Sequence, residues 1–342
     1  MRKRKYPIKY ILFGILLIPV LAAVILSSAK VEGSDEAATA PIDGRTTVLC
    51  LGLDDAAGNT DVMLLLSWEP QGGTLTLLQI PRDTYLRSET AQGKINQLYP
   101  AYLGKGYDRN AALSLVKDEV AEVFGIEIDY YMAVDLDTAS HIVDSLGGLT
   151  VEVPFPVRHR DRDGEGYVEI PAGAQLLGGR EAIEFLRFRA GYLEGDLGRV
   201  DAQKLLFAAG YRKIREEIGI SDLLRLVPDV YGKLYTDMPI AKGVSMVWSF
   251  HRSNGDHIRL LTLPGEATRA EQDRGVWYYV TNKKSAEEVL RRFLGGGDID
   301  PAGRLYAPEK VHFSNIYYDN SIEYTVYTEE TLNSITVKTK QK

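Results

Sequence analysis

Three apolar, β-rich runs stand close together near the start of the chain and constrain its fold more than any other feature. They cover residues 47–53, 62–68 and 74–80, and a Gln71-Gly72-Gly73 turn separates the last two. Such runs lack the apolar–polar alternation of a half-exposed strand and are typical of strands buried on both faces. The sequence therefore predicts a central sheet that is covered on both sides.

Helical patterns and further strands follow these runs. Predicted helices cover 110–124, 138–146, 178–186, 198–218, 221–235, 239–253 and 284–294, and predicted strands cover 130–134 and 258–263. Residues 155–172 are interpreted as a loop or a small hairpin. The Gly295-Gly296-Gly297 run indicates a boundary. We expect one mixed α/β domain over 45–297 and a C-terminal appendage of unknown role over 298–342.

The N-terminus predicts a membrane anchor. Residues 1–9 are basic, and residues 10–29 contain no charge. At about 1.5 Å per residue, a helix of that length spans a hydrocarbon core of about 30 Å. The basic flank stays in the cytoplasm, so a single-pass protein would carry its main domain outside the cell, after an acidic stalk over 30–44. The alternative is a cleaved signal peptide.

The charge of the chain argues against nucleic-acid binding, and its cysteine content excludes an internal disulfide. Six of the 40 basic residues and none of the 47 acidic residues lie in the first thirty positions, so the remaining chain is more acidic than the overall net charge of −7. Nucleic-acid binding requires a broad basic surface, which this composition does not provide. The single cysteine, Cys50, lies in an apolar run and forms no disulfide within the chain.

Two carboxylates are candidates for a divalent-cation site. Asp61 stands at the start of the second apolar run, and Asp83 follows the end of the third. If these two strands pair as a hairpin, both side chains lie at one edge of the sheet. Neighbouring carboxylates repel each other unless a cation lies between them, and oxygen ligands of this kind suit Mg²⁺ with water and substrate phosphate. The alternative for Asp61 is a turn or cap residue.

Several arginines are candidates for binding an anion. Arg187 and Arg189 are two residues apart, so an extended backbone would place both on one face. Solvated surface arginines are the alternative. Further along, Arg199 and Gln203 begin a helical stripe that then becomes mostly apolar. Burying them without partners is costly, which predicts that they face a polar cavity or a ligand.

Other residues contribute less. Asp196 could cap the helix that carries this stripe, and a helix N-terminus itself favours an anion. Lys94 is a single lysine in a polar loop. The histidines lack metal-ligand spacing, and the chain contains neither a P-loop nor a Gly-x-Ser-x-Gly motif.

Taken together, the motifs resemble the LytR-CpsA-Psr family of Gram-positive cell-wall enzymes. The matching segments agree in order and spacing and span roughly 46–215. They are Val48-Leu49-Cys50-Leu51-Gly52-Leu53-Asp54, Thr60-Asp61-Val62-Met63, Ile80-Pro81-Arg82-Asp83-Thr84, Lys94-Ile95-Asn96, Asp144-Ser145-Leu146-Gly147-Gly148-Leu149, Leu177-Gly178-Gly179-Arg180-Glu181-Ala182, Arg187-Phe188-Arg189 and Gly195-Asp196-Leu197-Gly198-Arg199.

The resemblance implies a three-layer α/β/α sandwich with a central mixed sheet and an apolar cavity for a polyprenyl chain. It implies transfer of an anionic glycopolymer, such as teichoic acid or capsule, from a polyprenyl-pyrophosphate carrier to peptidoglycan as a phosphodiester. A pyrophosphatase side activity is a further expectation. Mg²⁺ would be the cofactor, held by Asp61 and Asp83. The catalytic set would be Arg82, Asp83, Arg187, Arg189 and Arg199, and the substrate-binding set Lys94, Asn96, Asp196 and Gln203.

The chain departs from the family pattern at two positions. Ala202 and Asn59 stand where the family usually has arginines. Two fewer cations would weaken an anion site by a few kcal/mol if each charge-assisted hydrogen bond contributes about 1.5–3 kcal/mol. The alternative function is therefore a non-catalytic protein that binds polyprenyl pyrophosphate or wall glycan in a regulatory role.

Overall fold

A computed structural model describes most of the chain after residue 43. It covers residues 44–54, 59–90, 92–160, 166–188, 191–193, 196–219, 222, 226, 230–253, 257–270, 275–305 and 321–339. The predicted anchor over 10–29 lies outside the described residues. Within those ranges, no helix is both long and apolar enough to cross a membrane.

A six-stranded mixed sheet forms the centre of the fold, in the order β11-β6-β1-β2-β3-β12. The β1–β2, β2–β3 and β6–β11 pairs are antiparallel, whereas β1–β6 and β3–β12 are parallel. The strands are β1 (Thr46–Asp54), β2 (Asn59–Glu69), β3 (Thr74–Ile80), β6 (Tyr130–Asp135), β11 (Tyr235–Thr236) and β12 (His257–Thr262). The predicted strands at 47–53, 62–68, 74–80, 130–134 and 258–263 are confirmed.

Helices cover both faces of this sheet. They are α1 (Leu98–Gly104), α2 (Arg109–Phe124), α3 (Leu136–Ser145), α4 (Gly179–Arg187), α5 (Asp196–Arg212), α6 (Ile240–Arg252) and α7 (Lys283–Leu294). One apolar cluster joins α3, α4, α5 and α6 to the sheet, and a second joins α1, α2 and α7 to its other face. The expectation of a mixed α/β domain with a central mixed sheet is therefore confirmed.

Strand β1 shows why the sheet must be covered twice. All nine of its residues are buried. Val48 and Cys50 belong to the first cluster, and Leu49 and Leu51 belong to the second. Successive side chains of a strand point to opposite faces, so an uninterrupted apolar run needs an apolar layer on each side.

The described residues also form four two-stranded sheets: β4 (Tyr85–Arg87) with β5 (Gln92–Lys94), β7 (Leu149–Val153) with β10 (Gly173–Leu177), β8 (Val157–Arg160) with β9 (Tyr167–Ile170), and β13 (Gly265–Ala270) with β14 (Val276–Thr281). The β8–β9 pair is the small hairpin expected within 155–172. The helix predicted over 221–235 is wrong at its end, because Tyr235 and Thr236 form β11.

The C-terminal segment 321–339 packs along the domain. Tyr327 and Leu260 exchange two backbone hydrogen bonds of 2.9 Å, so this segment covers the outer edge of β12. Leu332 and Ile335 are buried in the first apolar cluster. The segment therefore contributes to the core.

Candidate functional site

The candidate site lies where β3 ends and β2 begins. The antiparallel register pairs Met63 of β2 with Ile80 of β3. Continuing this register brings Asp61 opposite Arg82, just after the end of β3. The hairpin on which the two-carboxylate prediction depended is thus present.

Arg82 lies between the two carboxylates. Its Nη1 is 2.8 Å from Asp61 Oδ1, and its Nη2 is 3.9 Å from Asp83 Oδ2. Arg82 is 6% exposed and Asp61 is 4% exposed, so their charges interact largely out of water. A buried pair of this kind is very sensitive to the loss of one partner. The guanidinium therefore reduces the repulsion between the two carboxylates.

Lys94 joins the same group from the β4–β5 hairpin. Its Nζ lies 2.8 Å from Asp83 Oδ1 and 5.5 Å from the centre of the Tyr278 ring. The antiparallel pairing of Tyr85 with Lys94 fixes the backbone beneath it. Asp83 is consequently held between two cations, one on each side.

Asn96 lies beside these residues and is nearly buried. Its backbone N–H donates to the carbonyl of Arg82 at 3.3 Å, and its own carbonyl accepts from Thr60 Oγ1 at 3.2 Å. Among the described residues, its side-chain Oδ1 has no hydrogen-bond partner. Two segments that are adjacent to Asp61 and Asp83 are therefore tied together by the backbone of Asn96.

Helix α5 meets this edge of the sheet through a pair of amides. The Nε2 of Gln79, next to the last residue of β3, donates to Oε1 of Gln203 at 2.6 Å. Arg199 lies one turn earlier on α5 and is 1% exposed. The predicted stripe is confirmed by the burial of its first five members, Arg199, Gln203, Phe207, Tyr211 and Ile214.

The field of Arg199 extends to Tyr192. Burial raises the pKa of the Tyr192 hydroxyl, and the nearby Arg199 guanidinium opposes that shift. Tyr192 contacts Phe155 and Phe188 edge-on, with ring centroids 5.2 and 6.1 Å apart. The buried positive charge of Arg199 thus acts on a tyrosine that belongs to a cluster of three aromatic rings.

Arg187 ends α4 and is paired differently from the prediction. Its Nη1 lies 2.6 Å from Glu184 Oε1, three residues earlier on the same helix. The backbone becomes extended at Phe188, with φ −67° and ψ 139°, as expected for the exit from the helix. Arg189 lies outside the described residues. Asp196 is the first residue of α5 rather than the residue before it, and the described structure does not extend to its side chain.

The donor set fits Mg²⁺ only as a shared site. Within the described ranges, no group of three or more His, Cys, Asp and Glu residues can hold a metal. Asp61 and Asp83 offer carboxylate oxygens, and the Asp83 side chain is 20% exposed. Mg²⁺ commonly takes one or two protein carboxylates and completes its octahedron with water and substrate phosphate. These residues fit that mode and do not form an all-protein cage.

Sequence reasoning missed Gln79 and Asp54. Gln79 is a buried polar residue within an apolar strand, and that contrast was the available signal. Asp54 ends β1, is buried, and pairs with Asn59 at the edge where Asp61 follows. A carboxylate that ends an apolar run, as Asp83 does, could have identified it.

The two departures from the family pattern differ in their surroundings. Ala202 is fully buried in the first apolar cluster, so this position of α5 faces the core. Asn59 begins β2 and is partly exposed at the edge of the site. Only the Asn59 position is close to Asp61 along the strand.

Comparison with known proteins agrees with the fold and the motifs. A sequence model described as the LytR_cpsA_psr family matches residues 24–293. The polyisoprenyl-teichoic acid–peptidoglycan teichoic acid transferase TagU of Oceanobacillus iheyensis is 26% identical over 252 residues, which cover 72% of this chain and 75% of that protein. The protein of the same name from Bacillus subtilis is 24% identical over 253 residues, which cover 72% of this chain and 76% of that protein.

A solved structure shows the same architecture. The crystal structure of B. subtilis TagV has a TM-score of 0.61 at 22% sequence identity, over 74% of this chain and 98% of that chain. At that identity, the likeness supports the fold alone.

Proposed function

Since this chain belongs to the LytR-CpsA-Psr family, we propose that it transfers an anionic glycopolymer from a polyprenyl-pyrophosphate carrier to peptidoglycan. The proposal rests on one observation: Asp61, Arg82, Asp83 and Lys94 form an ion-pair network at one edge of the sheet. The hydrogen bond between Gln79 and Gln203 connects α5 to the same edge. The names of two relatives, both teichoic acid transferases, support the same class of substrates.

In this proposal, the basic side chains of the site bind the oxygens of the pyrophosphate. Arg82, Lys94 and Arg199 carry positive charges that are held by ion pairs or by burial. Arg187, at the end of α4, and Arg189 would add to them. Phosphoryl transfer depends chiefly on positioning and on stabilising charge over the phosphoryl oxygens. Arg82 and Lys94 are held by carboxylates before substrate binds, so little reorganisation is needed. Gln203 would donate a hydrogen bond to the same group.

In the proposed reaction, an acceptor hydroxyl oxygen attacks the phosphorus that bears the polymer. A new P–O bond forms, the bond to the bridging oxygen breaks, and polyprenyl phosphate leaves with that electron pair. Asp83 is our candidate for accepting the hydroxyl proton, because its side chain is the more exposed of the two carboxylates. Bound Mg²⁺ on Asp61 and Asp83 would supply charge neutralisation. Attack by water instead of the acceptor would give the pyrophosphatase side activity.

The proposed location is the outer face of the cell membrane. Residues 10–29 would anchor the chain, with residues 1–9 in the cytoplasm and the main domain outside, where peptidoglycan and the carrier meet. If residues 1–29 form this anchor, the full chain partitions into membranes, and a chain that begins at residue 45 does not.

The alternative is a regulatory protein that binds the same ligand without turning it over. The observation that favours it is the absence of a cation at Asn59 and Ala202, because two arginines of the family pattern are missing.

The decisive experiment uses the full chain in detergent with a polyprenyl-pyrophosphoryl saccharide, a peptidoglycan acceptor and Mg²⁺. Saccharide transfer and release of polyprenyl phosphate are both followed. We expect turnover that Asp83→Asn reduces at least a hundredfold and that Arg158→Gln, on the exposed β8–β9 hairpin, leaves unchanged. Tight binding of the donor without turnover, across several acceptors, would establish the alternative.

A further inference from the structure

A cavity lies beside the candidate site, and residues of the C-terminal segment 321–339 form its outer wall. Its volume is about 270 Å³. The inner walls come from the first turns of α5, the end of β12 and the start of β13. The lining includes Asp201, Lys204, Thr262, Tyr279, Tyr327 and Lys338.

The outer wall is firmly attached. Besides the pairing of Tyr327 with Leu260, the Tyr211 hydroxyl donates to Glu329 at 2.9 Å. The backbone N–H of Leu193 donates to the carbonyl of Lys338 at 2.9 Å. These contacts lie at separate points along the segment, so the wall belongs to the folded domain.

The charges that line the cavity are balanced. The described lining contains two lysines, Lys204 and Lys338, and two carboxylates, Asp201 and Glu323. Lys204 Nζ lies 2.9 Å from Asp201 Oδ1, so these two charges already neutralise each other. A phosphate group would meet no surplus of positive charge here. At the candidate site, by contrast, the buried Arg199 adds a positive charge to the balanced group of Arg82, Lys94, Asp61 and Asp83.

The rest of the lining combines hydroxyl groups with aromatic rings. Thr262, Thr325 and Thr336 offer hydroxyls, and Tyr279, Tyr324 and Tyr327 offer rings with a polar end. Tyrosine presents an apolar face and a hydrogen-bonding tip, which suits a ligand that has both kinds of surface. A purely apolar ligand would remove the remaining solvent contact of the buried Lys204 and the partly exposed Asp201. A neutral or weakly charged pyranose satisfies both conditions.

Direct bonds connect this cavity to the candidate site. The backbone N–H of Tyr279 donates to the carbonyl of Asp83 at 2.8 Å. Thr262 Oγ1 lies 3.5 Å from Oε1 of Gln79, which in turn binds Gln203. Two residues that line the cavity, Tyr279 and Thr262, therefore contact Asp83 and Gln79 of the candidate site directly.

We propose that this cavity binds a saccharide unit of a substrate, next to the point of phosphoryl transfer. The inference rests on the proposed function for its biological meaning, and it identifies the class of group that occupies the cavity. The sugar belongs either to the peptidoglycan acceptor or to the first unit of the donor polymer, and the two sources can be separated experimentally.

The test uses the full chain in detergent, with Tyr327→Ala as the cavity variant. Its matched control is Tyr167→Ala, an exposed tyrosine on β9. Thr262→Val, which keeps the side-chain shape, is the second cavity variant in case Tyr327→Ala fails to fold. The direct probe is the N-acetylglucosaminyl–N-acetylmuramic acid disaccharide, followed by saturation-transfer NMR, and the donor's own disaccharide is the second probe.

We expect one disaccharide to receive saturation from the wild type, and at least a fivefold loss of that signal in the cavity variants but not in Tyr167→Ala. In the transfer assay, the KM for the matching substrate should rise about tenfold with little change in kcat. A rise for the acceptor assigns the cavity to peptidoglycan, and a rise for the donor assigns it to the polymer. Equal signals from all variants, or no binding of either sugar, would overturn the proposal.

Binding and turnover fail separately in this design. Asp83→Asn should lose transfer and keep disaccharide binding. If the wild type binds the disaccharide and transfers nothing, the cavity assignment stands and the proposed reaction is wrong.

Discussion

Gln79 and Gln203 are joined by a 2.6 Å hydrogen bond between their side-chain amides, and both residues are buried. The bond connects the end of β3, a strand of the central sheet, to the helix that carries Arg199. The Nε2 of Gln79 also lies 3.5 Å from the carbonyl of Val200, one residue after Arg199. The distance between the sheet edge that bears Arg82 and the first turn of α5 therefore depends on this amide pair.

Replacing Gln203 by leucine should lower the free energy of unfolding, mainly because a hydrogen bond is lost and not because the packing changes. The variant leaves the buried amide of Gln79 with only two long contacts of 3.5 Å, to the Val200 carbonyl and to Thr262 Oγ1. A poorly satisfied buried polar group costs about 1–3 kcal/mol. The double variant Gln79→Leu/Gln203→Leu should recover part of this loss, because neither amide is then left over. Urea unfolding measures both values. Gln71→Leu in an exposed turn is the control, and equal loss in the single and double variants would contradict the prediction.

The two carboxylates of the site should differ in their effect on stability. Asp61→Asn removes the charge that balances the buried Arg82, and breaking a buried ion pair costs about 3–5 kcal/mol. Asp83→Asn affects a pair in which both side chains are about 20% exposed, so a cost of about 1 kcal/mol or less is expected. Denaturant titration at pH 7 compares them. A larger loss for Asp83→Asn would mean that Asp83 rather than Asp61 is the main partner of Arg82.

The sequence predicted the sheet well because its strands are buried on both faces. A run such as 62–68, which is apolar except for Ser67, leaves few other interpretations, and the β2–β3 turn placed Asp61 and Asp83 together. The β13–β14 hairpin was missed because five of the six residues of Gly265–Ala270 carry no strong strand preference, and Val276 and Trp277 are exposed. Its importance for the site comes from the bond between Tyr279 and Asp83, which joins residues far apart in sequence.

The cation network was predicted only in part. Arg82 stands next to Asp83 in the sequence, but its closer partner is Asp61, which follows from the strand register and not from adjacency. Arg187 binds Glu184 of its own helix, a local pair at i, i+3 spacing that the sequence contained. The catalytic, substrate-binding and metal-binding roles of all the site residues stay predictions, as do Mg²⁺ and the polyprenyl cavity.

Tyr102 should make stability fall at alkaline pH. The pKa of the Tyr102 hydroxyl is raised to about 12 from the model-compound value of 10.0. Burial is the larger cause, and the hydrogen bond to Glu119 is the second. The folded state therefore keeps its proton where the unfolded chain loses it, so the stabilisation is complete below pH 10 and is lost as pH rises towards 12. Thermal unfolding between pH 9 and 12 should show a smaller decline for Tyr102→Phe than for the wild type. Tyr107→Phe, on the adjacent exposed tyrosine, should follow the wild-type curve, and identical slopes for all three proteins would exclude this contribution.

Gly125 should tolerate no side chain, for two separable reasons. It ends α2 with φ +59°, and a Cβ there would lie 2.1 Å from the carbonyl oxygen of Asp298. The left-handed conformation alone costs a non-glycine residue about 1–2 kcal/mol. Gly147→Ala measures the cost of the left-handed conformation alone, because Gly147 has φ +75° and nothing lies within 4 Å of the added Cβ. Gly125→Ala should therefore cost clearly more than Gly147→Ala in urea unfolding, and equal costs would show that the backbone near Asp298 moves freely.

The C-terminal segment should contribute to the stability of the whole domain, although the family model ends at residue 293. Leu332 is 3% exposed and packs in the apolar cluster that contains α5, whereas Leu176 on β10 is 66% exposed. Truncating a buried leucine to alanine typically costs about 2–5 kcal/mol, and an exposed position changes stability by less than about 0.5 kcal/mol. Leu332→Ala should therefore lower the free energy of unfolding in a single transition, and Leu176→Ala should not. If the segment were an independent appendage, Leu332→Ala would leave the main unfolding transition unchanged. The outer wall of the proposed saccharide cavity could then detach without unfolding the domain.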